Sequence, residues 1–476
     1  MTDPLFSKDE MSATLEAAAR RAGAFLEDLE TRRVRSDDEV EALASIDGEL
    51  PDEGIGPVAA LEQLADPAMR GAIASAGPRF FHFVVGGTTP AALGADWLTS
   101  TIDQNVGMWP ASPIASKAEM VAIRWLRDLF GLSPDGGGVL TTGATMANYS
   151  ALAAARRWWG LQRGIDVDED GIAGLPPIPV FSSGYVHASS VKALGMLGIG
   201  RGSIRKVTKD DIGRVDLDAL QRELHELENG PAIIIANAGE VNAGDFDPIS
   251  EMADLAERYG AWLHVDGAFG LFAGVSPKTA HLTRGVERAR SVTCDGHKWL
   301  NVPHDCGFVF VSDMSLLSGA FASGASYLAA ADDVEHPSFT FFTPESSRRA
   351  RAFDILAALT AYGRDGYRAM IERHLDLAQL LARLVDEAPD LERLADVPLN
   401  IVCFRYRPDG RDDAGLDDLN RRLGGVVLDD GRVYVGTTLY GGRVAFRPAI
   451  VNWRTTEVDI RLLVEVVREL GTKLAH

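Results

Sequence analysis

Two segments decide the fold of this chain, WLHVDGA at residues 262–268 and SVTCDGHKW at residues 291–299. Each begins with a short apolar run that predicts a buried strand, and each run stops at polar residues followed by glycine, where the backbone can turn sharply. In an open α/β sheet, ligands bind in the crevice at the carboxyl ends of the strands. We therefore expect Asp266 and Lys298 to face one crevice from neighbouring strands.

The combination of a buried acid and a lysine is what pyridoxal phosphate chemistry requires. A lysine amine forms a Schiff base with the cofactor aldehyde, and a carboxylate opposite the pyridine nitrogen keeps that nitrogen protonated. Ala268 shares the side-chain direction of Asp266 in an extended chain, and its small size would let the ring lie flat. Alone, Asp266 would usually cap a helix and Lys298 would usually be a solvated surface residue. Together, with His297 beside the lysine, they favour a cofactor site.

These segments resemble the pyridoxal-phosphate-dependent group II decarboxylases, which include the aromatic-amino-acid, glutamate and histidine decarboxylases. The motifs that match are HVDGAFG and DGHKW, and the similarity extends from about Pro78 to the C-terminus. The resemblance implies a fold-type I α/β enzyme with a helical N-terminal segment at residues 1–77, a large cofactor-binding domain at 78–354 and a small C-terminal α/β domain at 355–476. It also implies a homodimer with the active site at the subunit interface.

Composition narrows the functional class. The 476 residues are 46% hydrophobic, which suggests two or three globular domains. A formal net charge of -21 opposes binding to nucleic acid or to anionic lipid. The sequence shows neither a signal peptide nor an apolar run of the roughly 18 residues that would span a membrane. Its three widely spaced cysteines indicate neither a disulfide framework nor a zinc site, so we expect a cytoplasmic protein without a metal.

Strand-like and helix-like segments alternate through the middle of the chain. Residues 233–237 and 306–311 predict buried strands, and residues 250–259 predict a helix. This alternation predicts a mostly parallel sheet with helices on both faces. Beyond residue 355, further β-like runs lie at residues 399–406, 431–435 and 443–447.

The N-terminal region predicts helices. Ser7 and Glu10 have the spacing of a capping box before an amphipathic helix that extends to about Leu29. Residues 31–56 resemble a charged linker, and residues 58–75 predict a second helix. In the resembled family this region packs on the partner subunit, whereas the pattern alone equally allows docking onto the chain's own large domain.

A strand, glycine and helix junction predicts the phosphate site. Residues 139–142 are β-like, and Gly143, Ala144 and Thr145 open a long helix. Free backbone amides at a helix N-terminus bind phosphate, and the hydroxyl of Thr145 can add a hydrogen bond. Such junctions are common, so the prediction depends on the position of this one upstream of the acid and the lysine.

The resemblance supplies further site residues and two departures. His187 matches the histidine that stacks on the cofactor ring opposite Ala268, although a histidine at this point could merely cap a helix. Glu240 stands where relatives usually have a threonine, so no cofactor role is carried over to it. Asp295 stands where many relatives have asparagine, and we expect it to touch the phosphate only indirectly.

The substrate end is predicted from the segment around residues 78–87, which resembles the family's substrate-lining segment. Phe80, Phe81 and His82 are the candidates, and the two phenylalanines favour an aromatic or apolar amino acid. Aromatic residues in such a loop more often belong to the core. A pair of arginines, Arg348 and Arg349, precedes the helix that leads to the C-terminal domain, and arginines at a helix start are solvated by default, although one could bind a carboxylate or phosphate.

The loop at about residues 325–345 resembles a mobile loop of the family that brings a tyrosine from the partner subunit to protonate Cα. No tyrosine lies between Tyr327 and Arg348, and Phe339 falls roughly at the tyrosine position, with His336 in the same loop. Either His187 or His336 delivers the proton and the product is an amine, or oxygen reacts first and the product is an aldehyde.

The sequence thus predicts a homodimeric, pyridoxal-phosphate-dependent enzyme that decarboxylates an L-amino acid to an amine and CO2. Other fates of the same cofactor complex, such as transamination, aldol cleavage or oxidative deamination, are alternatives. So is a catalytically silent protein that binds the cofactor for regulation. The presence of Asp266, His297 and Lys298 together argues against a silent protein.

Overall fold

The computed structural model of the chain describes residues 10–228, 230–322 and 335–475. The strands of the large sheet are β1 Gly137–Thr141, β2 Val180–Ser182, β3 Ile204–Lys206, β4 Ile233–Asn237, β5 Trp262–Asp266, β6 Ser291–Asp295 and β7 Gly307–Val311. Their order is β1-β7-β6-β5-β4-β2-β3. Neighbouring strands from β6 to β3 are parallel, and only β7 runs antiparallel to its neighbours. The predicted mostly parallel sheet is confirmed.

Both faces of the large sheet are buried, which explains why its strands are continuously apolar. Along β4, Ile233 and Ile235 join one hydrophobic cluster, while Ile234 and Ala236 join the cluster on the other face. The helices of the described residues are α1 Met11–Glu27, α2 Glu39–Ile46, α3 Pro57–Gly71, α4 Pro90–Ile102, α5 Pro113–Leu129, α6 Ala144–Leu161, α7 Ala188–Met196, α8 Leu217–Glu226, α9 Ile249–Tyr259, α10 Met314–Phe321, α11 Ala352–Glu387, α12 Asp413–Asp430 and α13 Glu457–Ala475. None of these helices is long and apolar enough to cross a membrane.

A second, antiparallel sheet follows α11. Its strands are β8 Leu391–Arg393, β9 Phe404–Tyr406, β10 Thr437–Tyr440 and β11 Arg443–Phe446, in the order β10-β11-β9-β8. The small C-terminal α/β unit is therefore confirmed, whereas the predicted domain boundaries stay predictions.

Two of the predicted C-terminal runs need correction. Only the last three residues of the run at 399–406 form a strand. The run at 431–435 forms none, because the backbone of Tyr434 bonds instead to the N-terminal part of the chain, donating to the Arg79 carbonyl and accepting from the Phe81 amide.

The N-terminal region is helical, but the predicted linker at residues 31–56 is wrong over part of its length, because it contains α2. The side chain of Ala42 is fully buried. It packs closely on α3, since a Cβ added at Gly71 would lie 2.7 Å from the Cβ of Ala42. Ser7 lies outside the described residues, and Glu10 caps α1 without a side-chain hydrogen bond. The segment after α1 docks onto the chain's own C-terminal part, where the Val34 amide donates to the Gly431 carbonyl.

Arg348 is not solvated, contrary to the default prediction. Its guanidinium and the carboxylate of Glu119 are both almost fully buried, with nitrogen to oxygen distances of 2.7 and 3.1 Å. Arg348 also donates to the carbonyls of Val106 and Leu140. A buried guanidinium with this many acceptors holds the chain before α11 firmly against β1 and α5.

Candidate active site

The carboxyl ends of β5 and β6 bring the predicted acid and lysine together. The two strands are paired in parallel, and Asp266 is the last residue of β5. Strand β6 ends at Asp295 and is followed by a short helical turn, Gly296–Leu300, that carries Lys298. The Lys298 amine lies 3.2 Å from a carboxylate oxygen of Asp295.

Asp266 is 5% exposed and its carboxylate is held from three directions. One oxygen accepts hydrogen bonds from the Asn148 amide at 2.8 Å and from the Ser190 hydroxyl at 3.3 Å. The other accepts from the backbone amide of Ala268 at 3.2 Å. A buried carboxylate with fixed donors has one orientation, which is what a partner for a ring nitrogen needs.

A chain of buried hydrogen bonds fixes Asn148 in turn. The Asn148 side-chain oxygen accepts from the Thr293 hydroxyl at 2.8 Å and lies 2.9 Å from Nε2 of His264. Because this oxygen can only accept, His264 carries its proton on Nε2, and its Nδ1 accepts from the Ser291 hydroxyl at 2.9 Å. The Trp262 indole N–H donates to that hydroxyl. Burial lowers the pKa of His264 to about 4, so the imidazole is neutral and every donor in the chain points toward Asp266.

His187 both caps α7 and belongs to this network. Its Nδ1 accepts from the Ser189 amide at 3.2 Å and lies 2.7 Å from the Ser189 hydroxyl, which also accepts from Asn148. The surrounding protein desolvates the imidazole and lowers its pKa, and the charges of Lys298 and Arg447 act in the same direction. Neutral His187 therefore carries its proton on Nε2. The capping role is present, and stacking of its exposed face on a ring stays a prediction.

At the predicted phosphate end, a carboxylate of the protein already accepts from the N-terminus of α6. Helix α6 begins at Ala144, and the Ala144 amide donates to a carboxylate oxygen of Asp295 at 2.5 Å. The same oxygen lies 3.5 Å from Nε2 of His297. A Cβ on Gly143 would lie 3.1 Å from Cε1 of His297, so a side chain there would crowd the imidazole. Thr145 is exposed on the first turn of the helix.

The substrate segment lies directly against Lys298. A Cβ at Gly86 would be 1.9 Å from the Lys298 carbonyl oxygen, and the Gly86 amide donates to the His297 carbonyl at 3.1 Å. The preceding Phe83 and Val84 have φ angles of 59° and 58°, a conformation that is costly for a β-branched residue. Phe83 is 60% exposed. Sequence reasoning missed Phe83, because nothing in the pattern distinguishes it from its aromatic neighbours.

The three predicted substrate residues are buried or half-buried. Phe81 is almost fully buried in the core of the small sheet, and Phe80 is buried with its ring stacked on Tyr434 at 5.0 Å between centroids. His82 accepts from the Gly436 amide at 3.1 Å, and burial followed by the charge of Arg447 lowers its pKa to about 4. Phe81 thus has its side chain in a core rather than beside Lys298.

The predicted loop residues Phe339 and His336 pack against side chains of the same chain. Phe339 is 3% exposed and packs against Phe342, with the Arg348 guanidinium 5.2 Å from its ring centroid. The ring of His336 lies against Trp109, with 4.7 Å between centroids. Tyr327 lies outside the described residues. Phe339 therefore supports the core in this structure.

Glu240 is buried, and the backbone of its own turn holds its carboxylate. Its carboxylate accepts from the backbone amides of Asn242 and Ala243 at 2.8 Å each. Burial raises its pKa, and these hydrogen bonds and Arg447 partly offset the rise. Arg447, which sequence reasoning also missed, donates to the Val241 carbonyl at 3.0 Å.

Comparison with known proteins agrees with this geometry. Residues 43–407 match the pyridoxal-dependent decarboxylase conserved domain. The chain belongs to this family. It is similar to the aromatic-L-amino-acid decarboxylase of Bacillus atrophaeus, with 29% identity over 404 residues, which are 84% of this chain and 82% of that protein. It is also similar to the L-2,4-diaminobutyrate decarboxylase of Rhizobium meliloti strain 1021. The two are 30% identical over 432 residues, and these residues are 89% of this chain and 84% of that protein.

Its fold matches the crystal structure of Oryza sativa TDC with PLP and tryptamine at a TM-score of 0.91 and 25% identity, over 100% of both chains. The protein is therefore a pyridoxal-5'-phosphate-dependent amino acid decarboxylase, a carboxy-lyase. The residues at the ring end fit the cofactor, because Asp266 is a buried, fixed carboxylate and Lys298 is an amine on the neighbouring strand end. At the phosphate end the fit is incomplete, because a carboxylate already holds the Ala144 amide.

Asn148 tests the hydrogen-bond chain. We expect Asn148→Ala to lower the affinity for pyridoxal phosphate about tenfold, since removing a hydrogen bond to a buried charged group costs roughly 1.5–3 kcal/mol. Equilibrium dialysis with absorbance detection measures this loss. Ser150→Ala is the matched control, since Ser150 is buried on the same helix and its hydroxyl has no hydrogen-bond partner in the described residues. Equal affinities in the two variants would contradict the role of Asn148.

Proposed function

We propose that this enzyme decarboxylates an L-amino acid with an aromatic or apolar side chain and releases the amine, with Lys298, Asp266 and His187 as its catalytic residues. The observation that carries the assignment is the carboxylate of Asp266, buried and fixed by Asn148, at the end of the strand next to the one that leads to Lys298.

Each residue has a distinct task in this proposal. The bound cofactor supplies the electron sink for the bond between Cα and the carboxylate. Lys298 holds the cofactor through its amine, and Asp266 keeps the ring nitrogen protonated. Ala268 supports one face of the ring with a small side chain, and His187 covers the other. Rigid support on both faces favours the alignment in which the carboxylate bond is the one that breaks.

The proposed substrate preference is based on the side chains near the crevice that could contact a substrate. Phe83 projects an exposed ring from the turn beside Lys298. The carboxylates of Asp266 and Asp295 at this sheet edge already accept hydrogen bonds from the protein, so in this proposal neither pairs with a basic substrate side chain. The aromatic-amino-acid relative supports this preference, while the diaminobutyrate relative makes a basic amino acid the second candidate.

We propose an amine product because protein groups can return a proton to Cα. His187 carries an Nε2–H beside the ring-binding network, and a loop histidine, His336, is held against Trp109. Phe339 is buried and carries no transferable proton, so the proposed amine product rests on these two histidines.

We also propose a homodimer. Large apolar side chains stay exposed along α1, α2 and α4, and exposed apolar surface marks interaction sites. These residues are Met11, Leu15, Val40, Leu43, Ile46, Trp97, Leu98 and Ile102. The N-terminal helices thus have a face to bury against a second copy, although the segment after α1 docks on its own chain.

The site assignment is tested by two variants and a substrate panel. Lys298→Ala should abolish the visible absorbance of lysine-bound cofactor and stop CO2 release, and Asp266→Ala should fold but lose most activity because the ring nitrogen loses its partner. The twenty standard L-amino acids and L-2,4-diaminobutyrate would be scored for CO2 and amine. Turnover of 2,4-diaminobutyrate, glutamate or aspartate alone would refute the proposed substrate class, and a yellow, borohydride-reducible Lys298→Ala protein would refute the anchor.

The product is tested by oxygen uptake during turnover. We expect amine and CO2 in equal amounts without oxygen consumption, and we expect Phe339→Tyr to lower the melting temperature without changing the product, because residue 339 is buried. His336→Gln reports whether the loop histidine contributes to protonation. Stoichiometric oxygen uptake that Phe339→Tyr converts to amine formation would show that residue 339 selects the reaction.

The dimer is tested by sedimentation velocity. The double variant Trp97→Glu, Leu98→Glu places charges on the exposed face of α4 and should shift the species from twice the mass of a single chain to one chain. Val458→Glu is the matched control, since Val458 is similarly exposed on α13. A native protein that sediments as a single chain would contradict the proposal.

A further inference from the structure

The carboxylate of Asp295 contacts two groups that the cofactor would need, the Ala144 amide for its phosphate and the Lys298 amine for its aldehyde. Asp295 accepts from the Ala144 amide at the start of α6 with one oxygen and lies 3.2 Å from the Lys298 amine with the other. The side chain is 3% exposed, so solvent screens its charge weakly. The helix N-terminus that could bind a phosphate already holds an anion that belongs to the protein.

The other ionisable groups around Asp295 do not neutralise its negative charge at the N-terminus of α6. His297 lies 3.5 Å away, but burial lowers its pKa to about 4, and the neighbouring His304, stacked on it at 4.3 Å, also has a lowered pKa because of burial. Asp305 adds a negative charge to the same loop. Its carboxylate pairs with Arg351 at 2.8 Å, so that guanidinium is already engaged.

We propose that Asp295 competes with the cofactor phosphate for the Ala144 amide and must release both this amide and Lys298 before the cofactor is captured. Asp295 is then a positioning residue that weakens and slows cofactor uptake, in a place where many members of the resembled family have a neutral asparagine. Two like charges at one helix N-terminus repel, and in a partly buried site this lowers affinity by about tenfold or more. The inference rests on the proposed roles of Lys298 and the α6 N-terminus.

The isosteric variant Asp295→Asn removes the charge and keeps an oxygen for the Ala144 amide, so the fold should be retained and a thermal melt checks this. Cofactor-free full-length protein would be titrated with pyridoxal phosphate, with pyridoxal and with inorganic phosphate as a competitor. We expect Asp295→Asn to bind pyridoxal phosphate and inorganic phosphate about tenfold more tightly or better. Pyridoxal should gain less than about threefold, because it shares only the release of Lys298 and lacks the phosphate. The visible absorbance should also appear faster on mixing with pyridoxal phosphate.

Asp305→Asn is the matched control, since it changes the formal charge equally on the adjoining loop without touching Ala144, and it should leave all three affinities unchanged. Equal gains for pyridoxal phosphate and pyridoxal would overturn the competition for the amide, and weaker binding of pyridoxal phosphate by Asp295→Asn would overturn the proposal altogether. Failure of the site assignment is distinguishable, because it would appear as lysine-bound absorbance in Lys298→Ala whatever the phosphate affinities are.

Discussion

The buried carboxylate of Asp266 is the constraint on which the site depends. An isolated charge in a protein interior is strongly unfavourable, so it persists only where donors are fixed around it. Here the donors come from α6, α7 and the turn after β5, and they are oriented by a chain that extends through His264 to Trp262. The parallel sheet is what allows this, because it delivers the start of two helices and the ends of two strands to one edge.

The sequence predicted the parts of the site that are local. Asp266, Ala268, Lys298 and the start of α6 each follow from a strand end and a turn, and the structure places them at the same sheet edge. Asn148 was missed because its partners Asp266 and Thr293 are distant along the chain. Nothing in a helix pattern separates an asparagine that orients a carboxylate from one that faces solvent.

The errors around the substrate segment have a conformational cause. Three aromatic residues lie within four positions, and an extended chain would alternate their directions. The structure instead buries Phe81 in the small-sheet core and exposes Phe83 from a left-handed turn. Positive φ at a phenylalanine and a valine is not readable from composition, because glycine and asparagine are the residues that usually signal it. The same limit applies to Arg348, whose burial depends on its distant partner Glu119.

That strained turn is stable because its far end is anchored. The Gly87 amide donates to the side-chain oxygen of Asn301, which also accepts from the Trp453 amide, and Asn301 is fully buried. Gly86 cannot carry a side chain so close to the Lys298 carbonyl, so the segment has one way to lie against the lysine. Phe83 is positioned by these backbone contacts, and its ring also packs on that of His82, with 3.7 Å between centroids. A segment fixed by its backbone keeps the exposed ring of Phe83 at one place beside the lysine, which is what the proposed substrate preference requires of this position.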